Sequence, residues 1–163
     1  MARSSAKQPP RLPLLDRLLQ GDSLEVDRNP ERALRSLREA VRRDLEILFN
    51  TRPCYLSFSS ELTELERSLI SFGLPDLQTQ RIETDAQRES FRQTLEQIIR
   101  RFEPRFRDLS VEILTNEDAM ERTLRFRVHA VLFVDPISEP IVYDTLVDPV
   151  SGGLLLIGDG APL

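Results

Sequence analysis

The sequence predicts an α+β fold: N-terminal helices followed by an antiparallel β-meander packed on them. Three observations carry this expectation. Apolar residues recur at three- and four-residue spacing as far as Phe102, and beyond Arg105 they alternate every second residue. The breaks between the alternating runs are short and hold Asn116-Glu117-Asp118, Asp135-Pro136, Asp148-Pro149 and Gly152-Gly153. Parallel neighbours need a crossover of a dozen or more residues, so connections this short join antiparallel strands.

Residues 1–28 read as a flexible arm and residues 29–163 as a single domain. The arm carries Ser4-Ser5 and Pro9-Pro10, then an apolar patch, Leu14-Leu15-Asp16-Arg17-Leu18-Leu19, closed by Gly21-Asp22. Six residues are too few for a stable isolated helix. The patch therefore needs a surface, either on its own domain or on a partner.

The first long helix opens at Asn29-Pro30-Glu31, a capping residue followed by proline at the first helical position and an acid in the first turn. Its stripe is Leu34, Leu37, Val41, Leu45 and Leu48, ending near Phe49; Arg35, Arg38, Glu39, Arg42, Arg43 and Glu46 make the solvated face. Asn50-Thr51-Arg52-Pro53 stops it. A second helix is expected from about Ser60 to Ser71, with Gly73 as its stop. The following Gly73-Leu74-Pro75-Asp76-Leu77 reads as a rigid turn with two exposed leucines. Thr84-Asp85-Ala86-Gln87 has the capping-box pattern of a third helix, whose stripe is Phe91, Leu95, Ile98 and Phe102. The strands follow: Leu109, Val111 and Ile113; Leu124 through Val134; Ile141 through Val147; and Leu154 through Ile157.

Composition narrows the function classes. The chain has 163 residues, 40% of them hydrophobic and 30% charged, with a formal net charge of −5. That balance suits a globular protein with its own core. Of the basic residues only Lys7 is a lysine, a bias that GC-rich codon usage largely accounts for, although arginine forks also suit carboxylate pairing at interfaces. No basic stripe is interleaved with aromatics, so nucleic acid is not an expected partner. The one cysteine, Cys54, excludes an internal disulfide framework, and no apolar run reaches the ~20 residues that span a bilayer. A cytoplasmic protein without membrane insertion is expected.

Chemistry is sparse. His129 is the only histidine and falls on the polar side of a strand, in phase with Arg125 and Arg127. No His/Cys/acid cluster suits a metal, and no glycine-rich loop precedes a helix as a phosphate cradle would. No cofactor is expected. What stands out is Glu103-Pro104-Arg105, where the helical period gives way to the strand period. Proline stiffens the bend and biases Glu103 out of the α region. A carboxylate and a guanidinium on a rigid corner make either a recognition device or an internal brace, the latter through helix residues such as Arg100 or Arg101. A glycosidase reading would use Glu103 as general acid with Asp108 or Glu112. Against it, Arg105 would lower the Glu103 pKa rather than raise it, and the chain has no Trp and only two Tyr to line a glycan groove.

Four segments in order carry a family resemblance: Leu14-Leu15-Asp16-Arg17-Leu18; Val41-Arg42-Arg43-Asp44-Leu45-Glu46 with Leu48-Phe49-Asn50-Thr51-Arg52; Gly73-Leu74-Pro75-Asp76-Leu77; and Phe102-Glu103-Pro104-Arg105-Phe106. Together with the α-then-β layout they resemble TssE, the small baseplate subunit of bacterial type VI secretion systems. That family is akin to a phage tail baseplate wedge protein once labelled a lysozyme. The resemblance covers roughly residues 12 to 158. It implies a non-enzymatic structural subunit whose partners are the larger wedge subunits, with Glu103, Pro104 and Arg105 as the assembly element. Leu14, Leu15 and Leu18 of the apolar patch are the second candidate contact. A free edge of the meander is the expected place for a strand from a contractile sheath subunit.

Overall fold

The computed structural model describes residues 13–19, 30–54, 57–59, 61–75, 84–114, 125–134, 137–147 and 153–158. Helix α1 spans Leu14–Leu19, α2 Pro30–Asn50, α3 Thr63–Glu66 and α4 Asp85–Phe102. Strands β1 (Phe106–Leu114), β2 (Arg125–Val134), β3 (Ile137–Val147) and β4 (Leu154–Ile157) form one antiparallel sheet in the order β1-β2-β3-β4. The expected α+β meander is what the chain forms.

One face of the sheet makes the core with the two long helices. Leu37, Val41, Leu45, Leu48 and Phe49 of α2 and Phe91, Leu95 and Ile99 of α4 pack on Phe126, Val128, Leu132, Ile141 and Tyr143. Phe49 meets Phe126 edge-to-face at 5.4 Å between ring centroids. Thr145 is the polar exception on this face. Its hydroxyl accepts from Phe126 N at 2.9 Å and donates to Phe126 O at 2.7 Å, so nothing polar is stranded.

The capping box of α4 is present as expected, with Thr84 and Gln87 bonding each other's backbone N–H groups. On that helix Phe91, Leu95 and Ile99 are buried, while Ile98 and Phe102 are half-buried. The expected cap of α2, Asn29, lies outside the described residues, as do Leu77 and the turns at 116–118, 135–136 and 148–149.

Three local expectations are corrected. The single helix expected over 60–71 is broken into α3 and a 3₁₀ turn at Leu69–Ser71. Ser68 is the cause: its hydroxyl donates to Leu65 O at 2.7 Å and accepts from Ile70 N at 3.3 Å, drawing the backbone off the helical path. Leu74, expected on the surface, is buried, because Leu74 N donates to Thr51 O (2.9 Å) and Cys54 N to Ile70 O (2.8 Å), which lays this segment along residues 51–54. Finally, β1 begins at Phe106 rather than near Leu109. The register with β2 shifts between Arg107 and Ser110, and Asp108 sits there at φ 49°. Aspartate tolerates the left-handed region better than most residues. The extra residue puts Phe106, Leu109 and Val111 on the same buried side, which strict alternation would forbid.

Both outer edges of the sheet are capped by helix side chains built to one plan. On α4, Arg92 pairs with Glu96; Glu96 Oε1 accepts from Val111 N (3.0 Å), and Arg100 Nη2 donates to Leu109 O (2.6 Å). On α2, Arg42 pairs with Glu46; Glu46 Oε1 accepts from Leu156 N (3.2 Å). Asn50 there donates to Leu154 O and accepts from Leu154 N, both at 2.8 Å. Residues four apart on a helix rise about 6 Å, close to the ~6.7 Å between same-edge residues of a strand. An i, i+4 pair can therefore stand in for a neighbouring strand. The face of α2 expected to be solvated is thus partly spent on the sheet, with Arg38 also paired to Glu139 of β3.

Two stability predictions follow from these contacts. A Cβ at Gly73 (φ +125°) would lie 2.2 Å from Thr51 O, so Gly73→Ala is expected to cost at least about 3 kcal/mol in urea denaturation. Asn50→Ala strands both backbone groups of Leu154 and is expected to cost about 1–2 kcal/mol in the same assay.

Candidate partner-binding corner

The Glu103-Pro104-Arg105 corner is a β-turn. Glu103 N closes α4 by donating to Ile99 O (2.7 Å), and Phe106 N reaches back to Glu103 O (3.3 Å). Pro104 takes the second position of the turn, where its fixed φ is favoured. Arg105 O accepts from Phe133 N at 2.9 Å, which ties the corner to the end of β2.

The two charges of the corner face each other. Glu103 is only 4% exposed. Its Oε1 accepts from Arg105 Nε (2.5 Å) and from Arg105 N (3.2 Å), and its Oε2 accepts from Arg105 Nη2. The same Nη2 donates to Asp44 Oδ2 of α2 at 2.8 Å. Burial by itself lowers the Arg105 pKa. The hydrogen bonds and charges of Glu103, then of Asp44, more than offset that and leave it raised.

The brace is internal, as one sequence reading allowed, but its members differ from those expected. Arg100 is turned to Leu109 O and Arg101 to Glu66, so neither reaches Glu103. Asp44 was missed. It lies between the apolar stripe and the charged face, three residues after Val41 and four before Leu48, and that border position was the one available signal. Pro104 is exposed, and the Arg105 side chain is 25% exposed.

The second candidate contact also meets α2. Asp16 of α1 pairs with Arg43 at 2.7 Å, while Leu14, Leu15 and Leu18 are 58–69% exposed. The patch is therefore held by a charge and leaves its leucines outward. Arg43 and Asp44 are consecutive on α2, so the leucine helix and the corner attach about 100° apart around one helix. An open groove of about 600 Å³ runs beside α1's attachment, lined by Glu39, Arg42, Arg43, Glu46 and residues 156–158; it does not include the corner.

The glycosidase roles find no support in this geometry. Glu103, the candidate acid, is buried and both its oxygens accept from the Arg105 guanidinium, so neither is presented to a substrate. His129 lies on the sheet side away from the helices, 3.8 Å from Glu112. Among the described residues no group of His, Cys and acids is arranged to hold a metal, and no helix is long and apolar enough to cross a membrane.

Fold and corner together give a charge-braced turn and an outward-facing leucine helix attached to the same long helix. The chain belongs to the family described as baseplate wedge protein gp25, whose profile matches residues 35–136, well over half of it and including the whole corner. Its role is accordingly that of a structural baseplate component, consistent with a TssE-like wedge subunit. A search of curated proteins finds no significant match.

The brace predicts unequal costs. Arg105→Ala strands a buried carboxylate and is expected to cost about 3–5 kcal/mol. Asp44→Ala removes only a half-exposed partner and is expected to cost under about 1 kcal/mol, both read from urea midpoints.

Proposed function

We propose that this chain is a non-enzymatic, cytoplasmic subunit of a type VI secretion baseplate wedge. It binds the larger wedge subunits through the Glu103-Pro104-Arg105 corner and the Leu14, Leu15 and Leu18 face. The observation that carries this reading is the family match, which spans the corner. The geometry supports a division of labour: Glu103 acts through Arg105, while Pro104 and Arg105 are the members that present surface. Residues 1–28 serve as the arm and 29–163 as the body that the arm joins.

A link to the contractile sheath is the outer part of the same proposal. Glu46, Asn50, Glu96 and Arg100 already occupy positions on the sheet's two edges. The pairing of β4 covers only Asp144–Val147 of β3, so an added strand is best placed along the earlier part of β3.

The test is co-expression with the larger wedge subunits and co-purification, with circular dichroism on every variant. The unsubstituted chain is expected to co-purify. Arg105→Lys, which keeps a charge beside Glu103 but removes the fork, and the double variant Leu15→Glu/Leu18→Glu are each expected to bind more weakly while remaining folded. Failure of the unsubstituted chain to co-purify would overturn the proposal.

A further inference from the structure

We infer that the partner meets the corner with a basic side chain, that the atom it meets is the carboxylate of Asp44, and that Arg105 serves to hold that carboxylate in place. This rests on the wedge-assembly reading above and specifies its chemistry.

The count of charges at the corner decides the sign. Glu103 and Asp44 contribute two carboxylates and Arg105 one guanidinium, a formal charge of −1. Arg105 Nε and Nη2 are already committed to Glu103, and Nη2 is shared with Asp44. A partner carboxylate approaching the remaining nitrogen would be the third carboxylate around one cation, and the repulsion of two would oppose the attraction of one. A partner cation meets the opposite balance.

The accessible atoms agree with the charge. Glu103 is buried and presents nothing to a partner. The Asp44 side chain is 38% exposed; its Oδ2 accepts from Arg105, and among the described residues its Oδ1 accepts from none. Arg43, the adjacent cation on α2, is turned to Asp16. Ile47, one turn further along α2 and 51% exposed, supplies apolar surface beside the carboxylate. The surface thus suits an arginine or lysine whose aliphatic stem lies over Ile47 and whose charged end reaches Asp44.

The roles of Asp44 and Arg105 separate in one experiment, the affinity of the full chain for the co-expressed larger wedge subunits. Asp44→Asn keeps the shape and an acceptor for Arg105 and removes the charge. Its binding is expected to be about tenfold weaker, with a melting temperature close to that of the parent, and Asp44→Lys is expected to abolish co-purification. Unchanged or tighter binding by Asp44→Asn, with co-purification of the unsubstituted chain intact, would overturn the inference alone. Tighter binding in particular would mean that the substitution had released Arg105 to a partner carboxylate. Absence of co-purification by the unsubstituted chain would overturn the wedge reading and this inference with it.

Discussion

A carboxylate buried to 4% exposure has to be paired, and in this protein the pairing of Glu103 organises what surrounds it. The cation comes from two residues along the same chain, across a proline turn. Because the turn is stiff, the guanidinium arrives with its fork oriented, and the remaining reach of Nη2 falls on Asp44. One buried charge thereby links the end of α4, the start of β1 and the middle of α2. The register of β1, set at Phe106↔Leu132, begins from that link.

Helix α2 is the element on which the rest converges. Asp16 of α1 meets Arg43; Arg105 meets Asp44; β4 is capped by Glu46 and Asn50; the turn holding Gly73 and Leu74 lies against Thr51. The second of the four family-like segments therefore contacts each of the other three. Such an arrangement suits a small component of a large assembly. The leucine helix, the charged corner and the β4 edge are all attached to this one helix. The paired devices Arg42–Glu46–Asn50 and Arg92–Glu96–Arg100 protect the sheet edges by the same i, i+4 spacing, which reserves the edge hydrogen bonds from unselected strands.

Much of this was legible without coordinates, and for identifiable reasons. The stripes of α2 and α4 and the alternation of β2 are one-dimensional patterns imposed by burial, and they read directly. The capping box at Thr84 and the stop at Glu103-Pro104 are local backbone chemistry. The expected helix over 60–71 is broken where the hydroxyls of Ser68 and Ser71 both donate to Leu65 O, which an apolar period does not report. Leu74 was misplaced because its burial depends on Thr51, more than twenty residues away. The bulge at Asp108 was hidden because it changes register without changing composition.

The order of elements, the antiparallel connections and the stiffness of the corner belong to the linear chain, since each follows from periodicity, loop length or proline's fixed φ. The family-like segments, too, are legible in the line. Which side chain completes the brace was decided by packing alone. Arg100 and Arg101 lie within side-chain reach of Glu103 along the chain, yet the packing of α2 brings Asp44 to 2.8 Å from Arg105 Nη2. The tertiary structure likewise turned Arg100 and Glu46, two residues with the look of solvated charges, into the closing edges of a sheet. Long-range partners are chosen by the geometry of the core, and no local pattern encodes a distance between residues sixty positions apart.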